Sequence, residues 1–134
     1  MQSKEPKIVI ALKAARLAAK EILKFSRRMD KVKIYEKGPT DFVTQVDRIA
    51  ENIIISSISE SFPDSAFICE ESGKSGKEKS DLVWVIDPID GTTNFIHGFP
   101  YYSISIACYE KDVLSHGIIY DITRDDEYFA SKGK

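Results

Sequence analysis

The chain has 134 residues, 43% hydrophobic and 30% charged, a balance that suits one globular domain with a real core. A formal charge of −2 gives no electrostatic reason to expect nucleic acid or an acidic membrane as a partner. No apolar run approaches the roughly 20 residues needed to cross a bilayer.

Taken in chain order, MQSKEPKIVIAL lacks a long apolar region followed by a small-residue cleavage site, so no signal peptide is expected. Ile8, Leu12, Ala15, Ala19, Ile22 and Leu23 recur at three- and four-residue steps, which predicts a helix from about Pro6 to Arg28 with proline in its first turn. Lys31 to Tyr35 alternates and is closed by the breaker Gly38-Pro39. A second helix is expected from Thr44, where Thr44-Gln45-Val46-Asp47 has the form of a capping box, to near Pro63. Val46, Ile49, Ala50, Ile53, Ile54 and Ile58 form its apolar stripe. Beyond Pro63 the period changes. Ala66 to Cys69 and Leu82 to Ile86 read as short buried strands, and Ser72 to Ser80 between them reads as a polar loop. Ser103 to Cys108, Val113 to Tyr120 and Glu127 to Ala130 read as further strands. Cys69 and Cys108, the two cysteines, sit in apolar runs, as reduced thiols of a cytoplasmic protein would. Helices followed by strands predict an α/β or α+β layered domain.

The informative segment is Asp87-Pro88-Ile89-Asp90-Gly91-Thr92-Thr93-Asn94. A buried strand is expected to deliver Asp87 at its end, and Pro88 forces an extended path to Asp90. Two carboxylates on such a turn can share a hard divalent cation, with the Ile89 carbonyl as a further oxygen ligand. Gly91 permits close backbone approach, and Thr92-Thr93-Asn94 can open a helix whose first N–H groups suit a phosphate. A bare D-x-x-D-G would more simply be an Asx turn capping a helix. Glu70-Glu71 ends the preceding apolar strand; one of these acids converges with Asp87 if the two strands are neighbours, and otherwise the pair is solvent-facing charge. His97 and His116 lack metal-ligand spacing.

Asp87 to Pro100, DPIDGTTNFIHGFP, resembles the signature of the inositol monophosphatase family, the lithium-sensitive, magnesium-dependent sugar phosphatases. Lys37-Gly38, Asp41 to Thr44, Asp47, Glu70-Glu71-Ser72, Gly117 to Tyr120 and Ala130 to Gly133 extend the likeness, so that essentially the whole chain resembles the N-terminal half of that family. The resemblance implies the N-terminal portion of a layered α-β-α-β-α sandwich, an α+β fold with two helices packed on a mostly antiparallel sheet. It implies Mg²⁺ as cofactor, with Glu70, Asp87, Ile89 and Asp90 as metal ligands. Ile89, Asp90, Gly91 and Thr92 would hold the phosphate of the substrate. Glu70 and Thr92 would orient a metal-activated water, and the parent activity would be hydrolysis of a small phosphate monoester, myo-inositol 1-phosphate first among the candidates. A fructose 1,6-bisphosphatase, histidinol-phosphate phosphatase or nucleotide 3′-phosphatase relative is the neighbouring reading. Asp47 serves either as the helix cap or as an acid near the metals, and Lys37 and Thr44 are equally open.

Members of the family run to about twice this length, and their second signature, a Trp-Asp pair opening a helix, has no counterpart here. Two divalent ions carry four positive charges against the three negative charges of Glu70, Asp87 and Asp90. Residues 1–134 are therefore expected to be the N-terminal metal- and phosphate-binding part of a phosphatase domain, incomplete for catalysis alone and homodimeric when full length. The rival expectation is a non-catalytic regulatory or protein-binding module on the same fold.

Overall fold

The computed structural model describes residues 4–39 and 41–134, so the first three residues of the N-terminal stretch lie outside the described residues. Helix α1 covers Pro6–Ser26 and α2 covers Gln45–Ser61. α1 buries Ile8, Leu12 and Ile22 together with Ala11, Ala14, Ala15, Ala18 and Ala19. α1 stops at Ser26, short of the expected Arg28, and the Ser26 hydroxyl donates to the Leu23 carbonyl at 2.6 Å. The predicted capping box is present at the start of α2. The Thr44 hydroxyl accepts from Val46 N–H at 3.2 Å, and the Asp47 carboxylate accepts from Thr44 N–H at 2.8 Å. A cap of this kind stabilises a helix by about 1 kcal/mol.

Strands β1 (Ile34–Gly38) and β2 (Asp41–Thr44) form an antiparallel hairpin that leads into α2. β2 was not foreshadowed by alternation, and the Lys31–Tyr35 stretch is shifted: Met29–Lys31 is a 3₁₀ turn and the strand begins at Ile34. The main sheet contains β3 (Ala66–Cys69), β4 (Gly73–Gly76), β5 (Leu82–Asp90), β6 (Ser103–Glu110), β7 (Val113–Asp121) and β8 (Asp126–Ser131). Its strand order is β4-β3-β5-β6-β7-β8. The short helix α3 (Thr92–Ile96) lies between β5 and β6. Among the described residues only β3 and β5 run parallel; the other pairs are antiparallel.

The expected loop from Ser72 to Ser80 is corrected in part, since Gly73–Gly76 pairs with β3. Gly73 and Gly76 adopt positive φ (75° and 79°), and a Cβ on Gly76 would come 2.5 Å from the Ser65 carbonyl oxygen. Glycine thus lets the polar segment fold back as an edge strand that no apolar alternation marked.

α1 and α2 cover one face of the sheet, over a core that includes Phe67, Trp84, Ile86, Ile104, Ile106 and Ile118. The Trp84 indole N–H donates to the Ser65 hydroxyl at 3.0 Å, so the largest buried side chain is also satisfied. On the opposite face Ile68, Val85, Ala107, Gly117 and Ala130 align across the strands. Ile68, Leu114, Ile119 and Tyr128 are exposed there. No helix among the described residues is long and apolar enough to cross a membrane.

Candidate active site

The parallel pairing of β3 and β5 brings their C-terminal ends to one rim. Glu70 follows Cys69 directly, and its N–H donates to the Ile86 carbonyl at 3.2 Å, extending the ladder by one step. Glu70 therefore sits beside Asp87. This settles the open reading of Glu70-Glu71, because both acids line the same cleft as Asp87 and Asp90.

β5 does not end at Asp87 as expected. It continues to Asp90, with a register shift between Asp87 and Asp90 that accommodates Pro88, a residue without an N–H to give the ladder. Asp90 remains opposite Ser103, so the bulge displaces Pro88 and Ile89 while both aspartates stay anchored. Gly91 then turns at φ 105°, and a Cβ there would meet the Tyr101 carbonyl oxygen at 2.8 Å. Beyond it α3 opens at Thr92. The Asn94 amide donates to the same Tyr101 carbonyl at 2.9 Å, and the Phe95 ring meets Tyr102 edge-on at 5.3 Å.

The cleft has a volume of about 250 Å³. Glu70, Glu71, Asp87, Ile89, Asp90, Gly91 and Thr92 all line it, so every sequence-predicted site residue is brought together. Lys37 and Asp41 of the hairpin and Thr93 and Asn94 of α3 also line it. Asp87 carries the main electrostatic signature. Burial, its hydrogen bond with Glu70 and the negative charges of Glu70 and Asp90 push its carboxyl up to about 7. Burial also raises Glu71, against the opposing influence of Lys37, whose ammonium lies 3.2 Å away. Burial alone would lower Lys37, but the pairing with Glu71 outweighs it and raises the amine.

Asp47 is the helix cap, and it also reaches Thr92 at the edge of the cleft. One carboxylate oxygen, Oδ2, accepts from the Thr44 N–H and hydroxyl at 2.8 and 2.7 Å. The other, Oδ1, accepts from the Thr92 hydroxyl at 3.0 Å. The Ile89 carbonyl lies 3.1 Å from the same hydroxyl. Asp47 is 1% exposed, and burial raises its pKa against these hydrogen bonds. A second buried acid on α2, Glu51, went unnoticed in the sequence; it accepts from the N–H groups of Glu71 and Ser72. The signal was available, since both acids fall on the buried stripe of an amphipathic helix, where an unpaired charge is too costly to keep.

Thr44 caps α2 and does not line the cleft. His97 is exposed. His116 bonds to Ser131 and Glu110 away from the cleft, at 2.8 Å each. Burial holds the Cys69 thiol at about 11 and the Cys108 thiol at about 12, so neither is a nucleophile.

Among the described residues, no three His, Cys, Asp or Glu side chains are gathered tightly enough to enclose a metal. The donor chemistry nevertheless fits a hard divalent cation. The oxygens available are carboxylates and one carbonyl, the hard donors such an ion takes. An acidic cleft thus lies at the strand ends of a mostly antiparallel α+β sheet backed by two helices.

A sequence profile of the inositol monophosphatase family matches residues 3–134, and the chain belongs to that family. It is 43% identical over 132 residues to the Nus factor SuhB of Pseudomonas aeruginosa, covering 97% of this chain and 49% of that protein. The crystal structure of extragenic suppressor protein suhB from Bartonella henselae superposes with a TM-score of 0.92 at 33% identity, over 97% of this chain and 50% of that one. The Thermotoga maritima IMPase gives a TM-score of 0.84, also at 33% identity, over 97% and 50%. The chain spans about half the length of the curated relatives it matches.

Proposed function

We propose that this chain is the N-terminal, metal- and phosphate-binding part of a cytoplasmic, Mg²⁺-dependent phosphomonoesterase whose leading substrate is myo-inositol 1-phosphate. The observation that carries the reading is the meeting of Glu70, Asp87 and Asp90 in one cleft with Thr92 and the start of α3. Glu70, Asp87, Asp90 and the Ile89 carbonyl would hold Mg²⁺, which when bound would supply Lewis acidity at the phosphoryl group and activate water. The first N–H groups of α3 have no partner within the helix and would meet phosphate oxygens. Thr92 gives its proton to Asp47, so the lone pairs of its hydroxyl remain to orient a water, while Glu70 can accept that water's proton. A fourth carboxylate and the groups that read the alcohol would come from a further segment of the kind the longer relatives possess. The whole protein would be a homodimer inhibited by lithium.

The test is phosphate release from myo-inositol 1-phosphate by protein carrying both halves of the fold. Glu70→Gln and Thr92→Ala are each expected to lower kcat by roughly 10²-fold with little change in KM, the scale of one positioned catalytic group. The 134-residue chain alone is expected to be inactive. Robust turnover by the isolated chain, or near-normal kcat in Glu70→Gln at saturating Mg²⁺, would sink the reading.

A second reading keeps the fold and dispenses with catalysis, as a regulatory or protein-binding module. It is favoured by the name Nus factor that relatives carry and by the exposed apolar face of the sheet. Retention of biological function in cells by Asp87→Asn, with phosphatase activity abolished, would select it.

A further inference from the structure

Two carboxylates on α2, Asp47 and Glu51, are each only 1% exposed. They stand four residues apart, so a single helical face carries both into the protein. Asp47 is occupied by Thr44 and Thr92. Glu51 reaches the other wall of the cleft. Its Oε2 accepts from Glu71 N–H at 3.2 Å and its Oε1 from Ser72 N–H at 3.1 Å. With Glu70 N–H donating to Ile86, three consecutive peptide groups are tied where the chain leaves β3 for β4. Little backbone freedom remains at Glu70, and its side chain faces Asp87.

A turn can be closed by water, by a hydroxyl or by an amide, none of which requires a charge to be taken out of water. A buried carboxylate is the expensive choice, and it is stable only when its oxygens receive good donors. What it gives in exchange is two charge-assisted acceptors at fixed separation, which set both the position and the direction of the turn. We propose that Glu51 is a positioning residue. It clamps the Glu70–Ser72 turn and so holds the Glu70 carboxylate beside Asp87, where the two could share a cation. This rests on the reading of Glu70 as a metal ligand given above. One turn of α2 then sets both walls of the cleft, Asp47 through Thr92 and Glu51 through Glu70.

The test uses the 134-residue chain with Mn²⁺ as the probe, followed by electron paramagnetic resonance, together with amide hydrogen exchange. Glu51→Gln keeps the volume but replaces one acceptor with an NH₂ group that opposes a peptide N–H. It is expected to weaken Mn²⁺ binding about tenfold, the lower end for groups that orient metal ligands. Exchange at Glu71 and Ser72 should accelerate while amides of the β5–β6 ladder keep their protection. Ile54→Val, a core change on the same helix, should leave both readouts unchanged. If Glu51→Gln fails to fold, Glu51→Asp keeps the charge, shortens the reach and is expected to give the same pattern. Unchanged Mn²⁺ affinity in the Glu51 variants would overturn the proposal, as would an equal loss in Ile54→Val. Wild-type chain that binds no Mn²⁺ would instead count against the metal reading. In that event unaltered exchange at Glu71 and Ser72 would overturn the clamp, and selective acceleration there would uphold it.

Discussion

Replacing Asp87 with asparagine should make the metal-free protein more stable at alkaline pH, although the same change should disable the site. Asp87 is ordinarily an acid of pKa 3.8 and is pushed up to about 7 in the folded chain, by burial first and then by Glu70 and Asp90. A carboxyl raised by folding binds its proton more tightly in the native state than in the unfolded one. Its contribution is therefore fully favourable below about pH 4 and is lost as pH rises through about 7. Taken at face value, the difference between those two values corresponds to roughly 4 kcal/mol. Asp87 is only partly buried and water screens its neighbours, so about 1–2 kcal/mol is the working magnitude. For a chain of this length that is roughly 4–7 °C in Tm. Asparagine preserves the shape and can still donate to Glu70, but carries no charge to be crowded. Thermal unfolding by circular dichroism, with a chelator present, should place Asp87→Asn above wild type by that margin at about pH 8, and the gap should close near pH 4. A variant that melts at or below wild type at the higher pH, or a gap that persists in acid, would refute the electrostatic account of the cleft.

Two other substitutions test the frame that carries the site. Thr44→Ala removes the hydroxyl that caps α2 and also donates to Asp47; a loss of about 1–2 kcal/mol in urea unfolding is expected, and no loss would show the cap to be redundant. Gly91→Ala must either strain a φ of 105° or displace the Tyr101 carbonyl, so destabilisation of about 1–3 kcal/mol should appear, with NMR shifts concentrated at Thr92 and Tyr101.

The sequence was most informative where chemistry and local geometry coincide. The capping box placed the start of α2, the apolar spacing placed α1, and the Asp87–Asn94 run marked the turn and the opening of α3, though not the bulge that carries β5 on to Asp90. Glu70 was harder to place. Its role depends on β3 lying parallel and adjacent to β5, which is a long-range pairing that no local pattern encodes. β4 was missed because Gly-Lys-Ser-Gly has no apolar alternation; its strand conformation is imposed by pairing with β3 and by two glycines at positive φ. Asp47 and Glu51 illustrate the remaining gap. An acid on the buried stripe of a helix announces that a partner exists, but only the tertiary structure names Thr92 for one and the Glu71–Ser72 turn for the other.

The contacts that build the cleft also set when it can exist during folding. Thr92 finds Asp47 across 45 positions of sequence, Lys37 finds Glu71 across 34, and Ser72 finds Glu51 across 21. Each closes a loop whose entropy must be repaid by packing before the hydrogen bond forms, so no helix or hairpin taken alone assembles the site. The β6–β7 hairpin, by contrast, pairs residues close together in the chain. The cleft is accordingly expected to come together late in folding and to open early in unfolding. The contacts of Glu51 with the Glu71 and Ser72 amides would then serve as a stricter gauge of native structure than helix content, which can persist after those contacts have parted.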